Sequence, residues 1–260
     1  MSGIRATRSV AGNTADPAGT GETGTIAAVQ PSTFVLVPGA GSDANYWSHL
    51  TPRLEQAGHQ AIAVDLPNWP GATLGDQADA IVAAAAGLQR VVLVAQSMGA
   101  FSAPLACDRL SVDWLVLLNP MIPLPGETAG EWWDNTGQAR AVRENDIREG
   151  RDPDAGFDLA TAFFHDLPRE GLEQLMQSES TEPAGSLFGV PFDQSGWPDV
   201  PTTVLAGRDD RFFPLEFQQR VARERLGLVA EPVPGGHLAA LSQPQALAAR
   251  LLRGPGPGPG

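Results

Sequence analysis

The chain has 260 residues, 42% of them hydrophobic, which suits one domain with a good-sized core. All 17 basic residues are arginine, and the missing lysine amine excludes a phosphate-loop NTPase, a Schiff-base aldolase and a pyridoxal enzyme. A net charge of −13 and a pI near 4.6 argue against nucleic acid and anionic membranes as partners.

In chain order, residues 1–24 are rich in Gly, Ala, Thr and Ser and are expected to form a disordered N-terminal tail. They hold two arginines but not the apolar run of a signal peptide, and no later stretch has the length to span a bilayer. The expected compartment is the cytoplasm. A core is expected over 25–120 and 198–253, with an insertion at 121–197 and a second disordered tail of alternating Gly and Pro at 254–260.

Strands are predicted at Thr33–Val37, Ala61–Val64, Val91–Val94, Trp114–Leu118, Thr202–Leu205 and Val229–Val233. Most are continuous apolar runs, as in a sheet covered on both faces. Helices are predicted between them, at Ala44–Ala57, Leu74–Gly87, Met98–Leu110, Leu215–Leu226 and Pro244–Leu252. The alternation predicts an α/β fold: a doubly wound, mainly parallel sheet of about six strands with helices on both faces.

Four segments carry chemistry. The first strand runs into Pro38-Gly-Ala-Gly-Ser42, a small-residue loop that lets backbone approach a ligand; the N–H of Ala40 is a candidate oxyanion donor, and Ser42 or Asp43 a candidate helix cap. The third strand ends at Ala95-Gln-Ser-Met-Gly99 and continues as a helix, the pattern of a nucleophile elbow that presents Ser97 and offers the N–H of Met98 as a second donor. Small residues at Ala95 and Gly99 fit the sharp turn. After the fifth strand, Gly207-Arg-Asp-Asp-Arg211 supplies an orienting carboxylate, Asp210 first and Asp209 second. After the sixth, Pro234-Gly-Gly-His237 places an imidazole at the same sheet edge, so that nucleophile, acid and base follow one another in hydrolase order. His49 and His59 flank the first helix as capping or surface residues, and the lone Cys107 reads as a small core residue with no metal-ligand spacing around it.

In 121–197 the strand rhythm is lost and aromatics stand among acidic residues, and the segment is expected to form a helical lid. Those aromatics either line an apolar pocket or form the small core that holds the lid down. The candidate pocket residues are Gln96, Met121, Trp132, Trp133, Phe163, Phe164, His165, Phe188, Phe213 and Leu238.

Over about Thr33–Leu252 the chain resembles an α/β-hydrolase. Leu36-Val-Pro-Gly-Ala, Tyr46-Trp, Leu54-Glu-Gln-Ala-Gly-His59 and Val64-Asp-Leu are similar to the esterase side of the small methylesterase and hydroxynitrile lyase group. The resemblance implies a triad of Ser97, Asp210 and His237 with oxyanion donors Ala40 and Met98. Three positions depart from that family: Pro38 replaces the usual His before Gly39, Ala95 the first glycine of the elbow, and Gln96 a frequent His. The group's lyases, by the same resemblance, use a lysine near the leaving cyanide, and this chain has none. The expected protein is a cofactor-free serine hydrolase, without metal, acting on an ester or lactone of a small apolar molecule as a monomer or homodimer. The alternatives are a non-hydrolytic cyclase or acyltransferase of the same fold and a receptor-like ligand-binding protein.

Overall fold

The apolar runs pair as one parallel sheet: β1 Thr33–Val37, β2 Gln60–Ala63, β3 Val91–Gln96, β4 Val112–Leu118, β5 Thr202–Gly207 and β6 Glu231–Val233, in the order β2-β1-β3-β4-β5-β6. The structure, a computed structural model, describes residues 30–168, 172 and 184–256. The expected tail at 1–24, residues 169–171 and 173–183 of the expected lid, and 257–260 lie outside the described residues.

Successive side chains of a strand point to opposite faces, and both faces here are buried. Phe34, Leu36, Val92, Val94, Val116 and Leu205 pack with Trp47, Leu54, Leu241 and Leu251 on one side. Val35, Val37, Leu93, Leu117 and Val204 pack with Ile81, Phe101 and Phe217 on the other. Each such aliphatic side chain fully withdrawn from water contributes about 1.5–3 kcal/mol, which is what makes the central strands apolar throughout.

The helices fall where the sequence places them, with instructive differences. α1 covers only Thr51–Gln56, preceded by a separate 3₁₀ turn at Ala44–Trp47. The continuous helix expected over Ala44–Ala57 breaks because Pro52 has no N–H to donate and its ring clashes with a carbonyl one turn earlier, so it fits only at a helix start. α2 (Leu74–Ala84) opens with a capping box between Thr73 and Asp76, and α3 (Gly99–Cys107) follows β3 directly. The last strand is shorter than expected: Val229 is exposed, and pairing starts at Glu231.

The insertion, expected to be helical but without bounds, carries α4 (Ala129–Thr136) and α5 (Gln138–Arg148). Gly137 divides them at φ 66, a left-handed conformation that suits a residue without a Cβ. This segment is fastened by a buried ion pair, in which Arg225 of α6 (Leu215–Leu226) meets both carboxylate oxygens of Glu127 and also donates to Ile122 O. Two short helices, α7 (Ala239–Ser242) and α8 (Pro244–Leu251), close the chain's second face. Among the described residues no helix is long and apolar enough to cross a membrane.

The strand order reverses between β1 and β3, because the chain moves to β2 on one side and then returns to build β3–β6 on the other. In open α/β sheets the crevice at the carboxyl ends beside such a reversal is where ligands bind. Gly39 follows β1 and Ser97 follows β3, so both candidate loops stand at that crevice.

Candidate active site

β3 is buried along its whole length up to Gln96, and Ser97 follows at φ 50. A non-glycine residue is strained there, and the turn lifts its hydroxyl above the sheet edge. Its surroundings show why small residues are needed. A Cβ on Gly99 would lie 2.7 Å from Pro38 O, and one on Gly39 would lie 2.3 Å from Gln96 Oε1 and 2.9 Å from the Ser97 Cβ. The β1 loop therefore approaches the serine as closely as a glycine allows.

The structure brings Ser97, His237 and Asp210 into one line. Ser97 Oγ is 3.1 Å from His237 Nε2, and His237 Nδ1 is 2.8 Å from Asp210 Oδ2. Asp210 is buried, and its Oδ1 accepts from the N–H groups of Phe212 and Phe213, both at 2.8 Å. These bonds orient the carboxylate and offset the cost of burying it. Asp209, the second choice, is exposed, and its carboxylate accepts from Gly235 N at 3.3 Å instead of reaching the imidazole.

His237 is only 1% exposed. Phe163, Phe212 and Phe213 stand edge-on to its ring, with centroids at 5.0, 5.2 and 4.8 Å. Phe212 and Phe213 come from the loop after β5, whereas Phe163 comes from a π-helical turn at Ala160–Phe164 in the β4–β5 segment. The two residues after that turn bond to the loops of the acid and the base: His165 Nε2 lies 3.0 Å from Asp209 O, and Asp166 Oδ2 accepts from Gly236 N at 2.6 Å.

The N–H groups of Ala40 and Met98 have no acceptor among the described residues. They border a recess beside the elbow that Leu66, Asn68, Gln77 and Leu187 also line. None of those four was expected to line the pocket: Leu66 ends the Val64-Asp-Leu run that resembles the family, and Asn68 and Gln77 lie beyond it, where no motif marks them.

The candidate pocket residues divide by position. Phe163, Phe213 and Gln96 surround His237, the last donating from Nε2 to His237 O at 3.4 Å. Met121 N donates to Ser97 O at 3.0 Å, and Leu238 follows His237 into the second core face. Trp133 tilts against Phe212 at 5.5 Å. Trp132 has no exposed surface and donates to Ile122 O at 2.9 Å, within the core. Phe164 and Phe188 are half-buried against the two core clusters. Among the described residues no three His, Cys, Asp or Glu side chains converge as a metal would require.

A serine on a strand-to-helix elbow, followed along the chain by the acid and then the histidine, is the α/β-hydrolase arrangement of a Ser-His-Asp line. The alpha/beta hydrolase family model matches residues 34–250, and the chain belongs to that family. Norfluorocurarine synthase 1 of a Strychnos species is 27% identical over 250 residues, covering 84% of this chain and 93% of the relative. Polyneuridine aldehyde esterase of Rauvolfia serpentina is 27% identical over 258 residues, covering 86% of this chain and 96% of the relative. A crystal structure of polyneuridine aldehyde esterase has the same fold, with a TM-score of 0.68 at 22% identity over 86% of this chain and 99% of that one.

Proposed function

We propose that this chain is a cofactor-independent serine hydrolase that cleaves a carboxylic ester or lactone of a small, mainly apolar molecule. The observation that carries the reading is the line from Ser97 Oγ through the His237 ring to Asp210, with both links at hydrogen-bond length. Ser97 attacks the acyl carbon while His237 Nε2 takes its proton, and Asp210 holds the ring's orientation. The N–H groups of Ala40 and Met98 receive the oxyanion. Collapse of the tetrahedral adduct expels the alcohol, protonated by His237, and water then releases the acid by the reverse sequence.

The segment at 121–197 acts as a lid in this reading, with Phe163 shielding the imidazole from water. The substrate enters over the recess at Leu66 and Leu187, and the site works in the cytoplasm without membrane or nucleic acid. The esterase relative and the apolar ring of phenyl groups support ester chemistry on an apolar substrate.

A second reading is favoured by the norfluorocurarine synthase relatives: an enzyme of a biosynthetic sequence whose net reaction is not simple hydrolysis. One experiment addresses both. p-Nitrophenyl esters from acetate to decanoate are assayed with wild type and Ser97→Ala. Turnover that falls at least about a thousandfold in the variant supports the hydrolase. Absence of turnover in both, with Ser97 still labelled by a fluorophosphonate, supports the second reading.

A further inference from the structure

β4 ends at Leu118, and the turn that follows bonds to Ser97 and to the strands and loops that carry the other two members of the line. Ser97 N donates to Leu118 O at 3.0 Å, and Met121 N donates to Ser97 O at 3.0 Å. Between them stands Asn119, with no exposed surface and φ 46. The left-handed region costs asparagine less than most side chains.

Its carboxamide joins the other two loops. Oδ1 accepts from Gly207 N at 2.6 Å, where β5 turns toward Asp210. Nδ2 donates to Gly236 O at 3.1 Å and to His237 O at 3.0 Å. One donor on one side and two acceptors on the other fix which end of the amide is which. The two loops meet so tightly that a Cβ on Gly207 would lie 2.7 Å from both Gly235 O and Gly236 O. Carbonyl oxygens crowded in a buried place need a donor, and an unmet one is expensive. Asparagine supplies an acceptor and a double donor on one rigid plane, whereas serine has one proton to give and aspartate would turn an oxygen toward two others.

We infer that Asn119 is a positioning residue that sets the distance between the acid loop and the base loop, and so aims His237 at Ser97. The inference rests on the hydrolytic reading for its kinetic test but not for its spectroscopic one. A displacement of about 1 Å in such a constellation costs about a hundredfold in rate.

Asn119→Gly keeps the backbone conformation and deletes the carboxamide. Asn119→Asp keeps the acceptor for Gly207 and removes the double donor. Both are measured for kcat and KM with p-nitrophenyl acetate, for cooperative melting, and for the downfield NMR signal of the His237 Nδ1 proton in its bond to Asp210. The expected result is a fall in kcat of about 10- to 100-fold with KM within about twofold, and a shifted or broadened His237 proton in protein that still melts cooperatively. A kcat within about twofold of wild type with the proton unmoved overturns the inference, as does a loss of kcat that only follows a loss of folded protein. If Asn119→Gly does not fold, Asn119→Asp decides by the same criteria. If wild type hydrolyses no ester, the hydrolytic reading fails by itself, and the His237 proton decides for Asn119: moved supports the positioning role, unmoved overturns it.

Discussion

Phe163 stands edge-on to His237 with centroids 5.0 Å apart and planes at 87°, although the two rings come from different layers of the molecule, one from the β4–β5 segment and one from the sheet edge. Phe163→Ala opens the imidazole to water and removes an apolar wall. The expected cost is about tenfold in kcat/KM for apolar p-nitrophenyl esters, equivalent to about 1.4 kcal/mol. An unchanged kcat/KM removes Phe163 from the site.

Gly99→Ala places a methyl group 2.7 Å from Pro38 O, a backbone atom that cannot rotate away. Overpacking of this kind costs about 1–3 kcal/mol. At this chain length the melting temperature falls by about 2–4 °C per kcal/mol, which scanning calorimetry reads directly.

Glu127→Ala leaves the guanidinium of Arg225 buried, with its neutral contact to Ile122 O but no counter-charge. Loss of one member of a buried pair costs about 3–5 kcal/mol, so the urea midpoint falls steeply. Asp79→Ala, which breaks the exposed pair with Arg109, is expected to change stability by less than about 1 kcal/mol.

The Arg250 guanidinium holds the Glu231 carboxyl below its usual range, and hydrogen bonds from the Thr73 and Thr128 caps do the same for Asp76 and Glu131. A carboxyl whose pKa is lower folded than unfolded stabilises the fold above the unfolded value, about 4, and that contribution disappears as pH falls through the folded value. Melting temperature is therefore expected to fall as pH drops below about 5. In Glu231→Gln the fall is shallower, because that group no longer titrates; an identical acid profile contradicts the assignment.

Burial pushes the Cys107 thiol up to about 12, with the Asp108 charge adding to the effect. The thiolate is the reactive form, so iodoacetamide at pH 8 leaves the native protein unmodified by mass spectrometry and labels Cys107 in denaturant. Labelling of the native state at a comparable rate contradicts this.

The sheet was legible because its strands are buried on both faces and therefore read as unbroken apolar runs, as at Val91–Val94. Ser97, Asp210 and His237 were legible because the turns that carry them need small residues at Gly99, Gly207, Gly235 and Gly236. Asn119 was not: a single asparagine after a strand carries no pattern, and its partners are backbone atoms 88 and 118 residues away. That the insertion is helical was expected, but the bounds of α4 and α5 were not legible from apolar rhythm; Thr128, Glu131 and Gly137 carry them as start and stop signals. Which aromatics surround His237 and which fill the core depends on the path of the β4–β5 segment: Phe163 and Phe164 both pack against the second core face, and Phe163 also meets the imidazole.

β6 is 3 residues long and lies at the outer edge of the sheet, paired on one side only, yet it is the strand that leads to His237. Edge strands fray at free energies far below that of global unfolding. Foldedness and competence are then separate quantities in this chain. On warming, under the proposed chemistry, a population with full far-UV ellipticity already contains molecules whose base has swung away from Ser97, and inactivation precedes melting.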